Sequence, residues 1–240
     1  MGDKAINTEW INLPVSDGSE MRVYNATAAE PNGFGLIVFQ EAFGVNPHIR
    51  DVTERFAKEG FFAAAPELFH RTGPGFEGSY SDFAAVQPHY SALTDEGLAA
   101  DITATFQHLE GKTKKVACVG YCLGGKASYL AASTAPLACA VSYYGGGIAP
   151  NERSKGLLGR TPEIKCPILL FWGGKDQHIG ADARSAVEQA LVKAEKDYTQ
   201  VVFSKADHGF NCDARPSYHA EASNEALALV HAFFATHLGY

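Results

Sequence analysis

The sequence predicts an α/β fold, with a mostly parallel central sheet, helices on both faces and an N-terminal β-hairpin, as a single domain over residues 1–240. Three observations carry the prediction. Short apolar runs of strand length alternate with segments whose apolar residues recur every three or four positions, and strands that alternate with helices pair in parallel with both faces covered. At Lys115–Ala127 an apolar strand, Val116–Val119, turns through Gly120-Tyr-Cys-Leu-Gly124 into a helix read from Lys126 to Ala132. A chain of 240 residues is long enough for one large domain with a substantial core, and nothing in its composition demands two.

In chain order, Trp10–Val15 and Glu20–Thr27 flank Ser-Asp-Gly and form the hairpin. After a loop at Ala29–Gly33, Leu36–Phe39 is a buried strand that ends in Gln40-Glu41. Pro47 opens a helix in which Ile49, Val52 and Phe56 share a face and Gly60 ends the run, and Phe61–Ala65 is the next buried strand. From Pro66 to Pro88 periodicity weakens while Gly, Pro, Ser and aromatic residues collect. Such a long connection is either a cap or binding loop, or a variable surface loop. Thr94 caps a helix whose Asp95 and Glu96 suit its positive N-terminus, whose Leu98, Ile102, Phe106 and Leu109 line one face, and which Gly111 stops. The turn at Cys122 follows, then a strand at Leu137–Tyr143, a loop at Gly145–Pro150 and a strand at Cys166–Trp172. A helix from Ala181 to Lys196 carries Ala183, Ala186, Val187, Ala190 and Leu191 at helical intervals. Thr199–Phe203 is the last strand, and a closing helix from Pro216 to Leu238 buries Leu227, Val230, Phe234 and Leu238.

Composition narrows the function. A formal net charge of -7, without any Lys/Arg run, argues against general affinity for nucleic acid or an anionic membrane. The first residues lack the apolar core of a signal peptide, and no later stretch approaches the roughly 18 apolar residues of a membrane span. The expectation is a cytoplasmic protein. Five cysteines without regular spacing point to neither a disulfide framework nor a zinc site, and the nine histidines form no ligand spacing, so no metal is expected. Cys118 and Cys139 sit within apolar runs as small core residues.

Gly120-Tyr-Cys-Leu-Gly124 is the cysteine form of the G-x-S-x-G elbow, a sharp bend that lifts the central side chain above a parallel sheet. Small residues belong on either side, because a Cβ there collides where strand and helix pack closely. The same letters fall one residue short of the phosphate loop G-x-x-x-x-G-K-[ST], but Ala127 stands where a hydroxyl should hold magnesium, and Ser128 is displaced by a residue. A buried structural cysteine is the plainer alternative. Downstream, Asp176 and His208 each follow a strand end by a few residues, where ligands gather in an open parallel sheet. Singly, Asp176 is a helix cap and His208 an ordinary imidazole. Together with Cys122 they repeat the nucleophile, acid, histidine order of the α/β-hydrolase triad. In that arrangement Cys122 attacks an ester-type carbonyl, His208 handles the proton and Asp176 orients the ring. The oxyanion would meet the backbone N–H groups of Leu123 and Ala42. A thiolate attacks readily and leaves readily, which suits activated esters and lactones.

Gln40-Glu-Ala-Phe-Gly-Val-Asn46, Gly120-Tyr-Cys-Leu-Gly-Gly125, Gly173-Gly-Lys-Asp176 and Ala206-Asp-His-Gly-Phe210 resemble, in that order and over nearly the full chain, the motifs of the dienelactone hydrolase family. The resemblance implies an α/β-hydrolase fold and a cytoplasmic, cofactor-free enzyme that opens a small-molecule lactone or ester, as a monomer or weak homodimer. It also implies a role for Glu41, which in the family contacts the resting thiol and shifts on substrate binding so that the thiolate forms. Otherwise Glu41 is a polar strand-end residue or a cap. Phe43, Arg71, Tyr90, Tyr144, Phe210 and Arg215 are candidate substrate-binding residues. One departure stands out: Tyr90 matches a family tyrosine, but Val86 occupies the place of the arginine that holds the lactone's carboxylate. Arg215 follows His208 by more residues than the family pattern has, and Arg71 is the substitute. A general esterase or thioesterase shares every catalytic residue of this scheme, whereas a binding protein of the same fold needs none of them aligned.

Overall fold

The computed structural model describes residues 5–151 and 154–239. Its eight strands are mostly parallel and alternate with helices, so the fold is α/β as the alternation of elements requires. The chain divides into two compact units, Met1–Cys118 and Val119–Tyr240.

The first unit contains β1 (Ile6–Pro14), β2 (Glu20–Ala28), β3 (Phe34–Phe39), α1 (Pro47–Lys58), β4 (Phe62–Pro66), α2 (Phe83–Ser91) and α3 (Asp95–Glu110). Its strands lie in the order β1-β2-β4-β3, antiparallel at β1-β2 and β2-β4 and parallel at β3-β4. The starts of α1 and α3 follow from their caps. Asn46 accepts a hydrogen bond from the Ile49 N–H (3.1 Å) with Pro47 in the first turn, and Thr94 accepts one from the Gly97 N–H (3.0 Å). Tyr24 on β2 donates to Glu54 of α1 at 2.7 Å, whereas Phe62, paired in register with Thr27, meets His108 of α3. Tyr24 and Thr27 point to opposite faces of β2, so α1 and α3 cover opposite faces of this unit.

β5 (Lys115–Tyr121) leads into the second unit, which holds α4 (Leu123–Thr134), β6 (Cys139–Tyr143), β7 (Ile168–Gly173), α5 (Ala181–Lys193), β8 (Tyr198–Phe203) and α6 (Ala220–Phe234). Here β6, β7 and β8 are consecutive and parallel. A short 3₁₀ segment at Leu158–Glu163, which carries no apolar period, was not expected. Cys118 and Cys139 are fully buried, as their apolar neighbours predict. Among the described residues, no helix is long and apolar enough to cross a membrane.

Three expectations need correction. Phe83–Ser91 is a helix, α2, within and beyond the stretch read as irregular; Asp82 caps it by accepting from the Ala85 N–H, and Pro88 sits inside it. Only Val86 of α2 is buried, so no apolar period announces the helix. Second, α4 begins at Leu123, not near Lys126, because Gly124 and Gly125 lie in its first turn. Third, Leu227 is 38% exposed. The buried stripe of α6 runs through Ala222, Ala226, Val230 and Phe234, every fourth residue, and Leu227 lies about 100° around from Ala226.

The connection after β4 is pinned by a buried charge. Asp101 on α3 is fully buried and accepts a forked pair of bonds from Arg71 (2.9 and 2.8 Å), while its Oδ1 lies 3.1 Å from His70 Nε2. Arg71 Nε also donates to Asp17 in the hairpin loop at 2.7 Å. Arg71 is therefore held by two carboxylates. Asp101→Asn removes the charge while keeping the volume, and is expected to lower stability by about 2–3 kcal/mol, read from the urea unfolding midpoint. An unchanged midpoint would mean that this cluster does not hold the segment.

Candidate active site

Cys122 is the single residue between β5 and α4, and its backbone is left-handed in φ (56°) with ψ at −112°. Few residues with a side chain adopt φ above zero, so the geometry is imposed by its surroundings. The Cys122 N–H donates to the Tyr143 carbonyl of β6 (3.0 Å), and the Cys122 carbonyl accepts from the N–H groups of Gly125 (2.9 Å) and Lys126 (3.2 Å). Close approach then dictates glycine nearby. A Cβ on Gly120 would overlap the Gly124 carbonyl, and one on Gly125 would lie 2.5 Å from the Tyr143 carbonyl oxygen. The need at Gly120 was expected from the elbow pattern; the one at Gly125 was not.

Asp176 lies in the loop after β7 and His208 in the loop after β8. Asp176 Oδ1 accepts from the N–H groups of His178 (2.8 Å) and Ile179 (3.1 Å), which fixes the carboxylate and leaves Oδ2 for His208 Nδ1 at 2.8 Å. His208 Nε2 stands 3.2 Å from Cys122 Sγ. Sulfur, imidazole and carboxylate thus form one hydrogen-bonded chain within the second unit.

Electrostatics follow from burial and contact. Burial alone would raise the Asp176 pKa, but the hydrogen bond and charge of His208, together with the two backbone N–H groups, outweigh it and hold the carboxyl below its ordinary value. For His208 burial works against the charged ring. The negative sulfur of Cys122, the hydrogen bonds to Asp176 and Cys122 and the charge of Asp176 prevail, and its pKa is pushed up to about 10. The contacts on both ring nitrogens thus favour the charged ring. This preference also sets the pH window: because the folded pKa is raised, the stability that His208 contributes is complete below its ordinary 6.5 and is lost as pH climbs through about 10.

Aromatic rings surround the imidazole. Tyr144 and His178 place their ring centroids 5.2 and 5.3 Å from that of His208, and Phe210 packs 5.2 Å from Tyr144. Tyr144 is fully buried and also has φ above zero (38°), with its N–H bonded to the Phe171 carbonyl at 2.8 Å. His178 was missed by sequence reasoning; the available signal was its place two residues after Asp176 in the same loop. The Arg215 guanidinium stands against Gly209, the residue after His208.

In the first unit, Glu41, Ala42 and Phe43 follow β3 directly and are buried. A carboxylate oxygen of Glu41 and a ring nitrogen of His48 lie within 4.8 Å of one another. Ala42 and Phe43 cluster with Val86, and Phe76 and Tyr80 pack against them. Val86, only 2% exposed, therefore fills an apolar position where the resemblance places an arginine. Tyr90 lies in the last turn of α2 and is 41% exposed. Leu123, buried, is the first residue of α4, so its N–H is one that a helix leaves without an intrahelical acceptor.

A model described as the dienelactone hydrolase family matches residues 21–238. A proposed carboxymethylenebutenolidase of Synechocystis sp. is 37% identical over 223 residues, which cover 88% of this chain and 90% of the relative. One of Escherichia coli is 33% identical over 235 residues, covering 93% of this chain and 84% of that protein. The crystal structure of a proposed dienelactone hydrolase from Klebsiella pneumoniae superposes with a TM-score of 0.86 at 32% identity, covering 96% of this chain and 99% of the other.

The raised pKa of His208 depends on the sulfur's charge more than on any other favourable contact. In Cys122→Ser that charge is absent, so the ring is expected to titrate well below about 10 when followed by NMR of its carbon-bound protons. An unchanged titration would assign the shift to Asp176 alone.

Proposed function

This chain belongs to the dienelactone hydrolase family, enzymes of the α/β-hydrolase fold that hydrolyse esters or lactones, and we propose that it does so through Cys122, His208 and Asp176 by way of an acyl-enzyme. The observation that carries the reading is the chain of contacts from Cys122 Sγ to His208 Nε2 (3.2 Å) and from His208 Nδ1 to Asp176 Oδ2 (2.8 Å). In the first step the sulfur attacks the carbonyl carbon, the carbonyl electrons move to oxygen, and the tetrahedral intermediate expels the alkoxide or enolate, which takes the proton from His208 Nε2. For a lactone the ring opens and the leaving oxygen stays tethered. In the second step His208 Nε2 accepts a proton from water as the water oxygen attacks the thioester, and collapse releases the acid and the thiolate. Asp176 keeps Nδ1 protonated and offsets the imidazolium charge throughout.

The oxyanion role of the Leu123 N–H draws support from its place at the start of α4, where backbone donors and the helix dipole favour negative charge. The roles of Ala42 as second donor and of Glu41 as the carboxylate that answers substrate rest on their motif positions after β3. Tyr144 and Phe210, packed beside His208, are proposed to line the substrate site with Arg215, and Phe43 to line it with Ala42. Tyr90 enters through its motif position, whereas Arg71, already held by Asp17 and Asp101, has no free fork for a substrate carboxylate.

A second reading, an esterase or thioesterase for neutral acyl groups, is favoured by Val86 in its apolar cluster with Ala42 and Phe43. An arginine there would pair with a substrate carboxylate; a valine offers only apolar contact. Neutral activated esters and lactones are therefore expected to show kcat/KM at least about tenfold above carboxylate-bearing lactones of the same size. The reverse order would return the assignment to a dicarboxylate-type lactone. The catalytic assignment is tested separately: iodoacetamide is expected to modify Cys122 first and abolish turnover, and Cys122→Ala to reduce kcat on the order of 10⁴-fold or more. Full turnover by Cys122→Ala eliminates the mechanism.

A further inference from the structure

We propose that Arg184 is a positioning residue for the reaction of Cys122, His208 and Asp176: one nitrogen of its guanidinium closes the Asp176 loop by bonding to both of its ends. The inference rests on the assignment of those three residues and adds the group that keeps the acid in place. The loop leaves β7 at Gly173 and enters α5 at Ala181. From the first turn of α5, Arg184 Nη1 reaches back and donates to the Gly173 carbonyl at 3.3 Å and to the Ile179 carbonyl at 2.8 Å.

The two halves of the loop are held differently. The first half is bound, backbone to backbone, to the segment that carries His208: the Gly174 N–H donates to the Phe203 carbonyl (2.8 Å) and the Lys175 N–H to the Ala206 carbonyl (2.9 Å). The approach is so close that a Cβ on Gly173 would lie 2.8 Å from the Ala206 carbonyl oxygen. From Gln177 to Gly180, among the described residues, no backbone group bonds to a strand. That half is held by the buried Ile179 side chain, by the Asp176 carboxylate and by Arg184.

Ile179 links the staple to the chemistry. Its N–H donates to Asp176 Oδ1 (3.1 Å) while its carbonyl accepts from Arg184. A shift of Ile179 therefore withdraws one of the two donors that fix the carboxylate, whose Oδ2 holds His208 Nδ1 at 2.8 Å. The position of the arginine is also telling. Arg184 is the fourth residue of α5, at the positive end of the helix dipole, where an acid such as Asp182 is favoured and a cation is not. Among the described residues no carboxylate pairs with its guanidinium, which bonds to the two loop carbonyls instead. A charge that is unfavourable for its own helix and bonded to both ends of the neighbouring loop acts on that loop. Charge-assisted bonds of this kind are the stronger sort, which suits a staple.

Arg184→Met keeps an apolar stem and removes the donors. On an activated ester it is expected to lower kcat about tenfold while KM stays within about twofold, because a loosened acid misorients the imidazole without touching the substrate. It is also expected to move the His208 titration, followed by NMR of its carbon-bound protons, below that of the wild type, since the contacts with Asp176 are among those that raise it. Both bonds come from one nitrogen, so Arg184→Lys, whose ammonium carries several donors on a single atom, is expected to recover most of the lost kcat. Far-UV circular dichroism confirms folding, and Arg184→Gln, polar but too short to reach both carbonyls, supplies the same two readouts if the methionine variant does not fold. A folded Arg184→Met with wild-type kcat, a loss confined to KM, an unmoved His208 titration, or an Arg184→Lys no better than the methionine overturns the proposal. Turnover by Cys122→Ala would reject the catalytic reading beneath it, whereas an inactive Cys122→Ala beside a fully active Arg184→Met rejects the role of Arg184 alone.

Discussion

The second unit is organised around one backbone constraint, the reversal at Cys122 from β5 into α4. Holding a side-chain-bearing residue at φ 56° costs on the order of 1–3 kcal/mol. The hydrogen bond from its N–H to the Tyr143 carbonyl and the bonds from Gly125 and Lys126 to its own carbonyl keep it there. Because strand and helix leave the turn so close together, Gly120 has no space for a side chain, and Gly125 has none because α4 lies against the end of β6 at Tyr143 and Gly145. The result is a thiol carried at the start of a helix, where backbone dipoles favour a negative sulfur.

That placement has its counterpart in the loops after β7 and β8. Asp176 is immobilised by two backbone donors before it meets His208, so the ring is oriented by a group that is itself held. Burial opposes a charged imidazole, yet its contacts with Cys122 and Asp176 overcome it. The walls add to this order. Tyr144 accepts a left-handed backbone with its ring against His208, a second strained residue within the same short radius as the first. Strain of this kind persists only where packing over-determines it, and here it accompanies the two groups that would move protons and electrons.

The first unit makes a different use of charge. Its Arg71 is consumed by Asp101 and Asp17 in holding the segment after β4, and its Val86 completes an apolar cluster with Ala42 and Phe43. Val86 thus stands where the family resemblance leads one to seek an arginine, and Arg71 is already paired. Specificity within a shared reaction depends on such exchanges, because a pocket that no longer pairs a carboxylate leaves it desolvated and disfavoured.

The sequence by itself determined the alternation of strands and helices, the elbow at Cys122, and the order of thiol, carboxylate and imidazole, each just past a strand end. Each of these is written in spacing along the chain: apolar periods, glycine at a turn, a cap such as Asn46 or Thr94. Only the tertiary structure decided what spacing cannot encode. Helix α2 has one buried residue and an internal proline, so its pattern carries no period, and the stripe on α6 passes through Ala226 and leaves Leu227 outside. The partners of Arg71, the ring of His178 beside His208 and the demand for glycine at position 125 are likewise contacts between distant segments. Local propensity acts over a few residues, whereas the choice among charges and rings far apart in sequence is made by which of them packing brings together.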